Sequence, residues 1–145
     1  MREVLTHRLW VGNAFDARDL RVLFEHGIGA VVDLAVNEKP AQLAREMIYL
    51  RMPLVDGEGN QAARLEMAIE CVVSLLRRHE RTLISCSAGM SRAPAIAAAA
   101  IAVIERAPPD DCLLRVIHDA PHDVSPRFWS ETRDGARAVL AREVL

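Results

Sequence analysis

Ser85-Cys86-Ser87-Ala88-Gly89-Met90-Ser91-Arg92 is the stretch that decides how this chain is read. The apolar run Thr82-Leu83-Ile84 leads into it, and an alanine-rich run from Ala93 to Val103 leads out. That order reads as strand, tight loop and helix, with the cysteine at the strand end. A loop in this place curls its backbone N–H groups around a tetrahedral oxyanion at the positive end of the next helix. The N–H groups of Ser87, Ala88, Gly89, Met90, Ser91 and Arg92 would line that cradle. Arg92 adds a planar fork of donors matched to phosphate oxygens. Cys86, at a helix N-terminus and near that arginine, is placed to act as a thiolate nucleophile. The chemistry implied is phosphoryl transfer through a phosphocysteine.

A thiolate that displaces an oxygen from phosphorus needs a nearby acid to protonate the leaving group and then to act as base toward water. Asp56 is the candidate. It opens the glycine-bearing run Asp56-Gly57-Glu58-Gly59-Asn60, and a loop acid there can swing over a bound phosphate and exclude water. Glu58 is the alternative acid on the same loop. Asp33 sits inside the apolar run Ala30–Ala35, where structural hydrogen bonds are the expectation.

Outward from the loop, strands and helices alternate. Leu9–Gly12, Ala30–Ala35, Ile48–Met52 and Thr82–Cys86 read as short strands. Asp16 is expected to cap a helix that runs to about His26 and stops at Gly27. Pro40–Glu46 reads as a short helix. Leu65, Ala68, Ile69, Val72, Val73, Leu75 and Leu76 repeat with the 3.6-residue period of an amphipathic helix, spanning about Gln61 to His79. Further helices are expected over Arg92–Glu105, from Pro109 to about Asp119, and from Ser125-Pro126 toward Arg142. The pattern predicts one α/β domain over residues 1–145, with a central, mostly parallel sheet flanked by helices. The oxyanion loop then lies at the carboxyl end of a central strand, where open α/β sheets bind their ligands.

Composition bounds the function. The 145 residues are 51% hydrophobic and 26% charged, and the net charge is −2, which makes no electrostatic case for a nucleic acid or a membrane. The first residues lack the apolar core of a secretory signal, and the alanine run is too short to span a bilayer. Three cysteines at wide spacings suit neither a disulfide framework nor zinc. These features predict a cytoplasmic monomer with a free reactive thiol and no metal or organic cofactor. Cys71 and Cys112 are expected to be packing residues, and Trp10, Phe24, Phe128 and Trp129 core aromatics. His79, His118 and His122 have no metal-ligand spacing. Arg77, Arg78 and Arg81 close a helix favourably for its dipole, with attraction of an anionic partner as a second reading.

Cys86-x-x-Gly89-x-x-Arg92, with Asp56 upstream and Ser91 before the arginine, resembles the cysteine-based protein tyrosine phosphatases, and within them the small dual-specificity phosphatases. The resemblance extends to Leu9-Trp10-Val11-Gly12-Asn13, Gly27 to Leu34, Pro53-Leu54-Val55-Asp56 and Ser125-Pro126-Arg127-Phe128. It implies a protein tyrosine phosphatase-like fold. It also implies hydrolysis of phosphotyrosine and phosphoserine or phosphothreonine in proteins, or of small phosphomonoesters. Cys86 would be nucleophile, Arg92 the phosphate clamp, and Asp56 acid and then base. Two positions depart from that family. Its usual histidine before the cysteine is Ser85, and its usual serine or threonine after the arginine is Ala93. The resemblance therefore implies a slow enzyme in which breakdown of the phosphocysteine is the bottleneck. A phosphate-binding module that barely turns over is the alternative, and a rhodanese-like sulfurtransferase is another.

Overall fold

Parallel pairing around one central strand organises the molecule. The computed structural model describes residues 1–143, so the last two residues of the expected domain, Val144 and Leu145, lie outside the described residues. Five strands, β1 (Arg2–Leu5), β2 (Leu9–Gly12), β3 (Ala30–Ala35), β4 (Ile48–Leu54) and β5 (Thr82–Ser85), form one sheet in the order β1-β2-β5-β3-β4. Only β1 runs antiparallel to its neighbour, β2. Gly12 and Asp33 both stand in register with Ser85. β2 and β5 therefore end level, β3 runs two residues further to Ala35, and the loop after β5 opens between its neighbours' carboxyl ends.

The helices are α1 (Leu20–Glu25), α2 (Ala62–Arg77), α3 (Arg92–Glu105), α4 (Pro109–Ile117) and α5 (Pro126–Glu143). Alternation along the strands divides the core in two. Leu9, Val11, Val32 and Ile84 face a large cluster with α2, α3, α4 and α5, while Trp10, Val31 and Leu83 face a small one with Leu23 and Ile28. Alanine dominates α3 because it is buried on every side from Arg92 to Val103. A side chain of one carbon keeps helix propensity high and lets sheet and helices approach closely. Gly135 serves the same end in α5, where an added Cβ would stand 3.1 Å from Ile69 Cδ1 of α2. At the other end of α5, Ser125 caps the helix by accepting the Phe128 N–H at 3.2 Å. Trp129 Nε1 donates to Asp110 at the start of α4 at 2.8 Å, and that bond, with Arg133 beside it, holds the Asp110 carboxyl below the usual range. Among the described residues no helix is long and apolar enough to cross a membrane.

The fold corrects several expectations. Arg2–Leu5, to which the sequence assigns no element, forms an edge strand; its Arg2 donates to the Val116 carbonyl at 2.5 Å. Asp16 starts only a 3-10 turn, with its side chain accepting from the Asn13 N–H at 2.8 Å, and Asp19 caps α1 through the Val22 N–H. Pro40–Glu46 is not helical. Its backbone and that of the preceding residues are held from outside: the Tyr49 hydroxyl accepts from the Ala41 N–H at 3.0 Å and donates to Asp33 at 2.6 Å, and Arg18 and Arg51 donate to the carbonyls of Lys39 and Glu38. Tertiary partners have replaced the helix ladder. β4 runs on through Pro53, which an edge strand tolerates because its free side needs no N–H. Phe24, expected in the core, is 86% exposed, whereas Trp10, Phe128 and Trp129 are buried. The arginine cluster after α2 is bound internally: Arg77 pairs with Glu143 and Arg78 with Ser74, while Arg81 donates to the His26 carbonyl and lies 5.0 Å from the Trp10 ring centre.

Candidate active site

The loop from Cys86 to Ser91 is pinned by main-chain bonds. The Cys86 N–H donates to the Gly12 carbonyl (3.3 Å), the Ala14 N–H to the Ser87 carbonyl (3.2 Å) and the Asp123 N–H to the Met90 carbonyl (2.9 Å). Among the described residues, the N–H groups of Ser87, Ala88, Gly89, Met90, Ser91 and Arg92 donate to no protein acceptor. Unpartnered main-chain donors are uncommon in folded proteins, and a run of them in one turn is the signature of an anion cradle. Gly89 makes the turn possible. Its φ is +74°, and a Cβ there would meet the Gly12 carbonyl carbon at 2.8 Å and oxygen at 2.9 Å. Neither backbone can retreat without breaking β2. Gly89→Ala is expected to lower stability by about 1–3 kcal/mol through backbone strain alone. It should also remove most anion binding, read by calorimetry with inorganic phosphate.

Cys86 is 2% exposed, and its Sγ accepts the Ala93 N–H at 3.4 Å. That donor is among the first free N–H groups of α3, so the sulfur sits where the helix dipole favours negative charge. Burial, with Glu70 beside it, pushes the Cys71 thiol up, and burial pushes the Cys112 thiol up. Ser85 points away from the sulfur: its side chain lines a small gap with Ala14, Ala17 and Asp33, and its buried Oγ has no partner among the described residues. Ser87 Oγ donates to Asn37 Oδ1 at 3.1 Å and accepts from Arg92 Nη2 at 3.2 Å, so it does not supply the hydroxyl missing at Ala93. The one hydrogen bond to the sulfur among the described residues is the main-chain N–H of Ala93.

Arg92 is 3% exposed and anchored along one edge. Nη1 donates to the Leu54 carbonyl at 2.9 Å and to Asn37 Oδ1 at 3.1 Å. Its Nε is buried and has no partner among the described residues, an arrangement that is costly unless a ligand completes it. Asp56, Cys86, Ser87, Ala88, Met90, Ser91, Arg92 and Asp123 line one small concavity, so five of the six residues with free N–H groups border it together with the cysteine. Asp56 is brought there by the segment after β4, and its loop is less free than its glycines suggest. Asn60 clamps it, accepting from the Val55 N–H and donating to the Val55 carbonyl, both at 2.8 Å. Glu58 is drawn instead to Arg127 of α5, at 2.7 Å, and does not line the concavity. Asp33 is structural: its carboxylate accepts from the Ala35 N–H and the Tyr49 hydroxyl and lies 3.5 Å from Arg51.

Three residues of the site carry no local sequence signal. Asn37 bridges Arg92 and Ser87 from the end of β3, Asn60 closes the Asp56 loop, and Asp123 reaches the rim from the α4–α5 connection. Each acts across a long stretch of chain or from an irregular segment, where neither periodicity nor spacing marks it.

A family model described as polymorphic toxin system, DSP-PTPase phosphatase (Tc-R-P) matches residues 8–105. The tyrosine-protein phosphatase vhp-1 of Caenorhabditis elegans is 25% identical over 127 residues, covering 86% of this chain and 19% of vhp-1. The chain thus spans about a fifth of the length of that relative. Among solved structures, human DUSP28 superposes with a TM-score of 0.84 at 22% identity, covering 98% of this chain and 99% of its own. A mouse putative dual specificity phosphatase complexed with zinc tungstate gives 0.84 at 22% identity, covering 99% and 90%. With a family model matched over most of the chain and this fold beneath it, the protein belongs to the DSP-PTPase phosphatases of the Tc-R-P family and is a small dual-specificity phosphatase by descent.

Proposed function

We propose that the protein hydrolyses phosphomonoesters through a phosphocysteine, with Cys86, Arg92 and Asp56 as its catalytic residues and phosphorylated protein as the substrate class. One observation carries the reading: Cys86, buried at the foot of α3, lines a concavity together with Arg92, Asp56 and loop residues whose N–H groups are free among the described residues. The likeness to a tyrosine-protein phosphatase supports phosphoprotein as the substrate.

The steps follow from what each group can do. The free N–H groups and Arg92 Nε take the non-bridging phosphoryl oxygens, and these bonds strengthen as charge builds on them. The Cys86 thiolate attacks phosphorus in line with the ester oxygen. The P–O bond breaks, and the Asp56 carboxylic acid protonates the departing oxygen. In the second half, the Asp56 carboxylate takes a proton from water while that water's oxygen attacks phosphorus. The P–S bond breaks, the thiolate is restored and inorganic phosphate leaves.

Asp56→Asn tests the acid. It should cut kcat by about 10²–10⁴-fold, flatten the alkaline limb of the pH profile, and slow phenyl esters more than p-nitrophenyl phosphate, whose leaving group needs no proton. If Glu58→Gln has these effects and Asp56→Asn does not, the acid is misassigned.

The second half-reaction is the slow one, because among the described residues the leaving thiolate has only the Ala93 N–H for support. A hydrogen bond to a charged group contributes about 1.5–3 kcal/mol, or roughly 10- to 100-fold in rate. Rapid mixing with p-nitrophenyl phosphate should give a burst, and Ala93→Ser should accelerate the steady phase by that factor and shrink the burst. Steady turnover without a burst, unchanged in Ala93→Ser, removes the bottleneck. The same two departures, Ser85 and Ala93, favour the reading as a phosphate-binding module. Capture of a phosphopeptide with no phosphate released would decide for it.

A further inference from the structure

Asp123 has no part in the chemistry above, yet it stands at the mouth of the site. Its N–H bond to the Met90 carbonyl at 2.9 Å ties it to the phosphate loop, and its exposed side chain lines the concavity with Cys86 and Asp56. Among the described residues no cation pairs with the carboxylate of Asp56 or of Asp123. The arginines nearby are committed: Arg92 is buried and bonded to Leu54, Asn37 and Ser87, and Arg127 lies 2.7 Å from Glu58 and 3.9 Å from Glu131. The other lining residues, Ser87, Ala88, Met90 and Ser91, carry no charge. A floor built for an anion, with the unpaired Arg92 Nε in it, is therefore entered past an acidic rim.

Such a rim works against a phosphate dianion unless the substrate brings a compensating charge. Asp56 is used for proton transfer, which leaves the exposed Asp123 carboxylate as the rim's unassigned charge. On the reading of the site as a phosphatase centre, we infer that Asp123 is a specificity residue. It selects phosphomonoesters that carry a cation next to the phosphoryl group, as does a phosphorylated residue flanked by arginine or lysine, and it rejects substrates with a second anionic group. The like-charge rejection and the opposite-charge attraction act on the same pair of substrates, so their effects multiply.

The test compares kcat/KM for two phosphotyrosine peptides that differ only in arginine or glutamate beside the phosphotyrosine. The wild type should prefer the arginine peptide about 10-fold, a difference built from two exposed charge interactions. The preference should shrink in 0.5 M salt. Asp123→Asn should reduce it to near unity, and Asp123→Lys should invert it. Phosphoethanolamine against glycerol phosphate reports whether a small amine ester is selected in the same way as the basic peptide. Equal use of the two peptides by the wild type, or an unaltered preference in Asp123→Lys, overturns the inference. p-Nitrophenyl phosphate, which carries no second charge, keeps the failures apart: if the wild type does not hydrolyse it, the phosphatase reading fails; if it does, equal peptide use counts against Asp123 alone.

Discussion

Cys86→Ser should abolish phosphate release, with kcat falling on the order of 10⁴-fold or more, while the protein keeps its circular dichroism and its melting temperature to within a few degrees. Oxygen replaces sulfur at a site that is 2% exposed, so the packing change is small. The chemistry changes much more. A thiol is partly ionised near neutral pH and intrinsically nucleophilic, whereas a serine hydroxyl needs an adjacent base. Among the described residues the sulfur's one hydrogen-bond partner is the Ala93 N–H, a donor and not a base. The cradle of N–H groups and the Arg92 fork are untouched, so the variant should still bind inorganic phosphate or a phosphopeptide. Loss of catalysis with binding retained separates a nucleophile from a structural cysteine. Turnover in Cys86→Ser close to the wild-type rate would exclude covalent catalysis at this residue.

Arg92→Lys should have the next largest effect, about 10²–10³-fold in kcat/KM, although charge is conserved. Arg92 spends Nη1 and Nη2 on Leu54, Asn37 and Ser87 and keeps Nε for the ligand. An ammonium has no planar fork to divide in that way. Lysine can satisfy the Leu54 carbonyl or reach the phosphate, but not both in this geometry. The loss should fall mainly on kcat, because the clamp tightens as charge moves onto the non-bridging oxygens. An Arg92→Lys enzyme with near-normal kcat and only a raised KM would show that Arg92 contributes simple ground-state attraction.

How much of this was legible before the fold was known depends on where the partners lie. Cys86, Gly89 and Arg92 sit on one turn between a strand and a helix, so their spacing carries the geometry with it. α2 and α5 declare themselves by period and by a cap, since their buried faces are set by local repetition. Asp56 was readable because a carboxylate beside glycines needs a reason. Asn37 was not: its two bonds reach Ser87 and Arg92, far along the chain, and nothing in Val36-Asn37-Glu38 marks them. Pro40–Glu46 shows the opposite failure. Its alanines, leucine and glutamate favour a helix locally, but the side chains of Tyr49, Arg18 and Arg51 take main-chain groups in and beside the segment and win. The edge strand Arg2–Leu5 drew no assignment because a short edge carries charge against further pairing, which masks the alternation of a strand.

The central claim is that phosphorus passes through sulfur. Acid quenching of a reaction with radiolabelled phosphopeptide, followed by digestion and mass spectrometry, tests it directly. The account predicts a phosphoryl group on the peptide containing Cys86, stable to alkali and released by iodine as a thiophosphate should be. It should accumulate during the burst and diminish in Ala93→Ser. Steady release of phosphate with the label absent from Cys86, or found on another residue, would contradict it.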